Sequence, residues 1–175
     1  HTFFLGDGLL AFSAFDRGQI QPHWQEQAER WFKERGLEPS QCCFVHVRRG
    51  DYCHYPDAKA PGVLPRRFFL EMIERQRDWP WVLDALPELP SSGLLAEGVE
   101  LTLAVMAYCG AGILSPSTYA WAAALLAGSV DRPEHFVTPL HWVGFRRGDW
   151  YPYASIASRT LSYVPWKPIA QEMLP

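Results

Sequence analysis

The chain has 175 residues, a length that fits one domain around a single hydrophobic core. Hydrophobic residues make up 48% and charged residues 20%, which is ordinary for a globular protein and excludes extended disorder. The formal net charge of -3 provides no long-range attraction to nucleic acid or to anionic lipid, so we expect neither as a partner. Any anion site must then be built locally from a few basic residues, which favours a small ligand.

The four cysteines, two of them adjacent at Cys42 and Cys43, do not form the framework of a small disulfide-rich domain. They favour a reducing compartment. No apolar run approaches the roughly 20 residues that span a bilayer, and no signal peptide stands out. We therefore expect a cytoplasmic protein with no transmembrane segment. The inner face of a membrane, or the Golgi lumen for a truncated eukaryotic chain, are the alternatives.

The first half of the chain contains one clear helix and one clear strand. The opening segment, His1 to Asp16, is compatible with a strand followed by a turn, but its pattern is ambiguous. From Pro22 to Arg35, apolar residues recur at helical spacing and Gly36 provides a stop, which predicts an amphipathic helix. Cys42 to Val47 is an apolar run of strand length that passes directly into the polar sequence RRGDY. We predict a buried strand that ends in a charged loop.

Helices and strands continue to alternate in the second half. The predicted elements are a helix from Pro65 to Arg75, a helix from Glu100 to Tyr108, a strand from Ala111 to Leu114, a helix from Tyr119 to Leu126 with Ser117 as its N-cap, and a strand from His135 to Thr138. Strands that alternate with helices indicate an α/β architecture with a mostly parallel, Rossmann-like sheet.

Polar clusters follow two of the predicted strands. They are His46, Arg48 and Arg49 after the first strand, and Ser115, Ser117 and Thr118 after the strand from Ala111 to Leu114. Arginine forks match phosphate oxygens, and a helix N-terminus favours an anion. Ligands of open α/β sheets lie outside the carboxyl ends of strands, so the two clusters together predict a diphosphate site without a metal. Taken singly, each cluster has a plain alternative, a solvated arginine pair or an ordinary helix cap.

Three motifs carry a resemblance to a known family. HVRRGDY, from His46 to Tyr52, resembles the first signature of the α-1,2-fucosyltransferases, glycosyltransferase family 11. GVLPRRFFLEMI, from Gly62 to Ile73, and ILSPSTYAWAAALLAG, from Ile113 to Gly128, are similar to two later segments of that family. The matches occur in the family's order between Cys43 and Gly128. The Arg-Gly-Asp triplet also reads as an integrin-type motif, but apolar strand residues precede it and make a poor adhesive loop.

The resemblance implies the donor-binding, C-terminal domain of a GT-B fold. It also implies GDP-fucose as the donor, inversion at the anomeric carbon, a carbohydrate acceptor, and no metal or other cofactor. In this interpretation residues 1–175 form one domain, with a helical lead-in at 1–40, a donor-binding core at 41–140 and a loop-rich tail at 141–175. The rival hypotheses are a transferase for another sugar nucleotide and a non-catalytic module that binds a GDP-sugar.

The resemblance also assigns roles to single residues. Arg48 and Arg49 would hold the donor phosphates, and His46 would support the GDP site. Ser117 with Thr118 would meet phosphate or guanosine. The catalytic candidates are two carboxylates: Asp51, which either neutralises an arginine or takes part in catalysis, and Asp57, a candidate general base in the loop after the motif.

The chain also departs from the family's pattern. Between Arg75 and the segment DWPWVLDALPE we find no room for the strand that relatives carry there, and the N-terminal Gly-Gly-Leu-Gly-Asn-Gln opening is absent. We therefore expect a reduced or truncated transferase. The tail residues Arg146, Arg147, Asp149, Trp150 and Tyr151 are either part of an acceptor site or a surface loop with packing aromatics.

A zinc site is the other chemistry that the sequence raises. Cysteine and histidine cluster at Cys42, Cys43, His46, Cys53 and His54. Adjacent strand residues point to opposite faces, so Cys42 and Cys43 cannot share a tetrahedral site without help from elsewhere. We expect no metal and inert, buried cysteines.

Overall fold

The computed structural model describes residues 16–57, 59–76, 78–84, 93–94, 98–151 and 158–169. Its α-helices are α1 (Pro22–Arg35), α2 (Arg66–Arg75), α3 (Val99–Tyr108) and α4 (Thr118–Leu126). Its strands are β1 (Cys42–His46), β2 (Pro56–Asp57), β3 (Ala60–Pro61), β4 (Trp81–Asp84), β5 (Gly93–Leu94), β6 (Ala111–Leu114), β7 (Phe136–Pro139) and β8 (Ser162–Val164). The ambiguous opening segment lies, up to residue 15, outside the described residues.

Six strands form one sheet in the order β5-β4-β1-β6-β7-β8, and every neighbouring pair is parallel. In chain order the sheet begins with β1. The strands β4 and β5 are added on one side of it, and β6, β7 and β8 are added on the other side. This is the strand order of a Rossmann-like sheet, and the order reverses between β1 and β6. The predicted α/β class with a parallel sheet is therefore confirmed.

Apolar residues cover both faces of the sheet. On one face Phe44 and Phe136 are fully buried under α1, α3 and α4. On the other face Val45 and Ile113 pack with α2 and with Trp166. Burying one such side chain contributes about 1.5–3 kcal/mol. Because both faces are covered, β1 and β6 appear in the sequence as continuous apolar runs, which is why periodicity detected them.

The elements predicted from apolar periodicity are present with small shifts at their ends. The first helix and the strand from Ala111 to Leu114 have the predicted bounds. Pro65 takes the N-cap position of α2 instead of its first turn, and β1 stops at His46. His135 belongs to a 3-10 turn, so β7 begins one residue later than predicted.

The expectation that a strand is missing after α2 was wrong. Trp81–Asp84, inside the segment expected to follow the gap, is itself strand β4. It pairs with β1 from Cys42↔Trp81 to Val45↔Asp84. Trp81 and Val82 favour a strand, but a run of four residues is too short for periodicity to identify it, and pairing with β1 decides its structure.

A search of the described residues for a helix long and apolar enough to cross a membrane finds none. The α-helices described have between 9 and 14 residues, short of the roughly 20 that span a bilayer.

Replacing Gly110 with alanine is expected to destabilise the protein by about 1–3 kcal/mol. A Cβ at this position would overlap the carbonyl oxygen of Ser40 and the ring of Trp79, and the backbone oxygen cannot rotate away. Gly98→Ala is the matched control, because the nearest atom to its added Cβ is 4.0 Å away. Urea unfolding of both variants tests this, and equal stability of the two would contradict the close packing at Gly110.

Candidate functional site

The two polar clusters named from the sequence lie side by side. β1 and β6 are adjacent, with His46 paired in register with Leu114, and the backbone N–H of Ser115 donates to the carbonyl of His46 at 3.0 Å. The loops that leave these strands therefore start together, at the point where the strand order reverses. Open α/β sheets bind ligands in the crevice at this point. This edge is the candidate functional site.

Ser115, directly after the end of β6, connects its own loop to the loop that follows β1. Its side chain is 1% exposed, and its Oγ lies 2.8 Å from His46 Nδ1 and accepts the backbone N–H of Arg48 at 2.8 Å. A hydroxyl has one proton and two lone pairs, so both contacts are satisfied at once. The hydroxyl that was predicted to meet the donor is thus already engaged. Ser115 is better described as a positioning residue that holds the backbone from which Arg48 projects.

His46 is held in its neutral form. Burial, and then the nearby charge of Arg48, lower its pKa from 6.5 to about 4, against a smaller opposing effect from a backbone hydrogen bond. Its ring lies 5.7 Å from the ring of Tyr119 in the first turn of α4. His46 therefore brings hydrogen bonding but no positive charge to this edge at physiological pH.

Arg48 and Arg49 differ in their surroundings. Arg48 Nη2 donates to Asp51 Oδ1 at 2.8 Å, and its guanidinium lies 5.3 Å from the ring centre of Tyr52. Arg49 is exposed and makes no ion pair or hydrogen bond with the residues that the structure describes. Gly50 turns the chain between them and Asp51 with a φ of 67°, a left-handed conformation that suits glycine. Arg49 can therefore bind an anionic ligand directly, whereas Arg48 can do so only when its hydrogen bond to Asp51 breaks.

The N-terminus of α4 is open on the same edge. Ser117 takes the N-cap position, but its hydroxyl makes no capping hydrogen bond, although the residue is only 6% exposed. Thr118 is exposed as the first helical residue. Within the described part of the chain, nothing accepts a hydrogen bond from the backbone N–H groups of residues 118–120. The predicted cap is present by position only, and the helix leaves its N–H groups and partial positive charge for another acceptor.

The second carboxylate named from the sequence is less well defined. Asp57 pairs with Ala60 in the β2–β3 hairpin, and its side chain lies outside the described residues. Asp84, which the sequence did not single out, ends β4 opposite Val45 and so belongs to the same edge of the sheet. It was missed because the segment around it was not recognised as a strand.

Among the described residues, two cavities lie away from this edge. One of about 310 Å³ lies at the amino ends of the strands and is lined by Arg17, Tyr108 and Arg132 among others. Arg132 Nη2 donates to the carbonyl of Ala127, just after α4, at 2.8 Å. Cations near helix C-termini stabilise the helix, so this arginine serves the fold. The other, of about 370 Å³, lies along α1 and is lined mainly by polar side chains, together with Trp31 and Leu101.

The cysteines do not form a metal site where the structure can be described. In those parts of the chain no group of three or more His, Cys, Asp or Glu side chains is placed to hold a metal ion. Cys42, Cys43 and Cys109 are buried, and burial raises the pKa of each thiol, while Cys53 is exposed. The three buried thiols therefore stay protonated and behave as packing groups.

No protein-family model, curated protein or solved structure matches this chain. The likeness to fucosyltransferases therefore stays a prediction from three sequence motifs. The function has to be inferred from the residues of the site.

Lowering the pH from 6.5 towards 4 is expected to destabilise the fold through His46. The folded state favours the neutral ring, so the unfolded chain takes up the proton first, and the contribution present above 6.5 is lost as the pH falls to about 4. Asparagine does not titrate, so the unfolding free energy of His46→Asn should fall less over this range than that of the wild type. The expected difference is on the order of 2 kcal/mol.

Urea unfolding at several pH values measures this difference. His23→Asn is the control, since His23 is exposed on α1 and its replacement should leave the wild-type profile unchanged. Parallel profiles for the wild type and His46→Asn would show that His46 titrates normally in the folded protein.

Proposed function

We propose that this chain is the donor-binding part of a GT-B type glycosyltransferase that moves fucose from GDP-fucose to a sugar hydroxyl, in the manner of α-1,2-fucosyltransferases. One observation carries the proposal. The loop after β1 that carries Arg48 and Arg49, here called the arginine loop, and the Ser-Pro-Ser-Thr loop at Ser115 to Thr118 hold two of the family-like motifs. They start at adjacent strand ends, where the strand order of the sheet reverses.

The donor diphosphate would lie between the arginine loop and the N-terminus of α4. Arg49 is exposed and can meet it. Arg48 can exchange Asp51 for a phosphate oxygen, because that ion pair is exposed and such pairs contribute about 0–1 kcal/mol. The open N–H groups of α4 add roughly half a positive charge on the other side. Two guanidinium groups and a helix N-terminus offset the charge of a diphosphate, so binding is proposed to need no metal.

In the transfer step, the oxygen of an acceptor hydroxyl attacks the anomeric carbon of fucose from the face opposite GDP. The bond from that carbon to the phosphate oxygen breaks, GDP leaves with the bonding electrons, and the configuration inverts. The arginines stabilise the charge that develops on the leaving phosphate. A carboxylate accepts the hydroxyl proton, with Asp51 and Asp57 as candidates. Asp51 would be released for this role when phosphate takes Arg48.

The non-catalytic module is the second candidate function. The ion pair between Arg48 and Asp51 favours it, because Asp51 then serves to hold an arginine rather than to accept a proton. Both functions share the donor site. Transfer of labelled fucose to glycan acceptors separates them, since only the enzyme releases GDP in proportion to product.

Replacing Arg48 or Arg49 with lysine is expected to weaken GDP binding about tenfold. Lysine keeps the charge but loses the bidentate fork, and a hydrogen bond to a charged group contributes about 1.5–3 kcal/mol. Calorimetry with GDP measures the change, and Arg30→Lys, an exposed position on α1, is the control.

The same titrations with EDTA test metal independence. A large loss of affinity with chelator, restored by magnesium or manganese, contradicts the proposed metal-free site. Wild-type affinity in both Arg48→Lys and Arg49→Lys removes the arginine loop from the donor site.

Ser117→Ala and Thr118→Ala are each expected to weaken GDP binding several-fold, with little change in melting temperature. Ser117 makes no capping bond, so its removal should not incur the roughly 1 kcal/mol of a lost cap. Ser40→Ala is the matched control. The Ser40 hydroxyl donates to Glu38 Oε1 at 2.9 Å and lies away from this edge of the sheet. Unchanged affinity in both variants would show that neither hydroxyl contacts GDP and would limit the proposed role of α4 to its backbone N–H groups.

A further inference from the structure

A cluster of three tyrosines lies next to the arginine loop and is not used by the proposed donor site. In this tyrosine cluster, Tyr55 lies between Tyr52, with ring centres 5.5 Å apart, and Tyr151, at 5.6 Å. A guanidinium flanks each end: Arg48 is 5.3 Å from the ring centre of Tyr52, and Arg147 is 5.1 Å from that of Tyr151. The rings and guanidiniums form one continuous row.

The backbone around Tyr55 is held on both sides. Gly62 donates its N–H to the carbonyl of Tyr55 at 2.6 Å, and an added Cβ on Gly62 would lie 3.2 Å from the ring of Tyr52. Arg146 Nη1, from the tail, donates to the carbonyl of Val63 at 2.7 Å and to that of Pro61. The tail is thus tied to the hairpin that follows Tyr55.

The tail segment that delivers Tyr151 has an unusual backbone. His141 and Trp142 both have positive φ, 65° and 36°, and Trp142 then forms an isolated bridge with Tyr151. Such left-handed residues cost free energy and persist only when their surroundings hold them. The placement of Tyr151 against Tyr55 is therefore specified by the fold.

Tyr55 is exposed although its neighbours are half-buried. Tyr55 is 41% exposed. In the described parts of the chain, three large hydrophobic residues are exposed, and Tyr55 is the aromatic one. Burial, together with a hydrogen bond to Tyr151, raises its pKa to about 12, so the hydroxyl stays protonated. An exposed aromatic ring that its neighbours already hold in place loses little conformational entropy when a ligand binds to it.

The charges around the cluster favour a neutral ligand. Arg48 is paired with Asp51 at 2.8 Å, and Arg147 Nε lies 3.4 Å from Asp149 Oδ1. Each of these guanidiniums therefore already has a carboxylate beside it, and the guanidinium of Arg146 donates to backbone carbonyls. The two guanidiniums and Asp51 offer hydrogen-bond donors and acceptors next to an aromatic ring, whereas Asp149 Oδ1 is buried. A pyranose matches this arrangement, because its ring C–H groups stack on an aromatic ring while its hydroxyls meet the polar groups.

We propose that the tyrosine cluster is a subsite for a neutral sugar, with the pyranose stacked on Tyr55 and its hydroxyls bonded by Arg48, Asp51 and Arg147. Its assignment as the acceptor subsite rests on the proposed function. Arg48 belongs to both sites, so acceptor and donor meet around one guanidinium and its partner Asp51.

The test is titration of the protein with methyl β-glucoside, methyl β-galactoside and methyl α-mannoside, followed by saturation-transfer NMR. We expect saturable binding of at least one glycoside with a Kd of about 1–10 mM. Tyr55→Ala should weaken it at least fivefold, and Tyr55→Phe, which keeps the ring, should stay within twofold of the wild type. Tyr55→Leu replaces the alanine variant if that variant melts early.

Tyr108→Ala is the matched control. Tyr108 also stacks with an arginine, Arg17 at 5.0 Å, and bonds a carboxylate, Glu29 at 3.1 Å, but at the amino ends of the strands. Its replacement should leave sugar binding unchanged. Equal losses in Tyr108→Ala and Tyr55→Ala, or no saturable binding by the wild type, overturn the subsite.

GDP titrations of the same variants separate this proposal from the previous one. Tyr55→Ala should bind GDP within twofold of the wild type, and a larger loss places Tyr55 in the donor site instead. Sugar binding without GDP binding supports the subsite and overturns the donor proposal. GDP binding without sugar binding does the reverse.

Discussion

The parallel pairing of β1 with β6 is the constraint on which the rest of the structure depends. Its register, from Cys43↔Ala111 to His46↔Leu114, places Phe44 and Leu114 on one face of the sheet and Val45 and Ile113 on the other. A slip by one residue would move every side chain to the opposite face. Since both faces are covered by helices, the register is strongly specified, and the same register brings the two polar loops together.

The site built on this pair uses buried polar contacts to aim exposed charges. Ser115 satisfies its hydroxyl with His46 and with the backbone of Arg48, and burial keeps His46 neutral. The fixed backbone directs Arg48 to the surface, where Asp51 neutralises it. A buried polar network of this kind is stable only when every member is paired, whereas the exposed ion pair can exchange partners at low cost. The edge therefore combines a fixed buried network around Ser115 with an exposed ion pair, Arg48–Asp51, that can exchange partners.

The loops beyond the strand ends extend this arrangement to a second surface. The tail and the β2–β3 hairpin are tied by hydrogen bonds from Arg146, and the tyrosine cluster lies where they meet. Arg48 contacts both Asp51 and the ring of Tyr52, so it belongs to the proposed donor site and to the tyrosine cluster. If a phosphate takes Arg48, the carboxylate next to the tyrosines loses its partner, which couples the two proposed ligands through local electrostatics.

The sequence by itself determined the α/β class, the two buried strands and the residues at their ends, because strands covered on both faces are continuous apolar runs and their polar ends stand out. Only the tertiary structure decided the rest. The run WVLD is a strand because β1 lies beside it. Ser117 occupies an N-cap position without making the bond, and Ser115 turns inward, since hydrogen-bond geometry depends on what the fold places nearby. Tyr55 and Tyr151 are far apart in sequence and meet because parallel strands bring their loops to one edge.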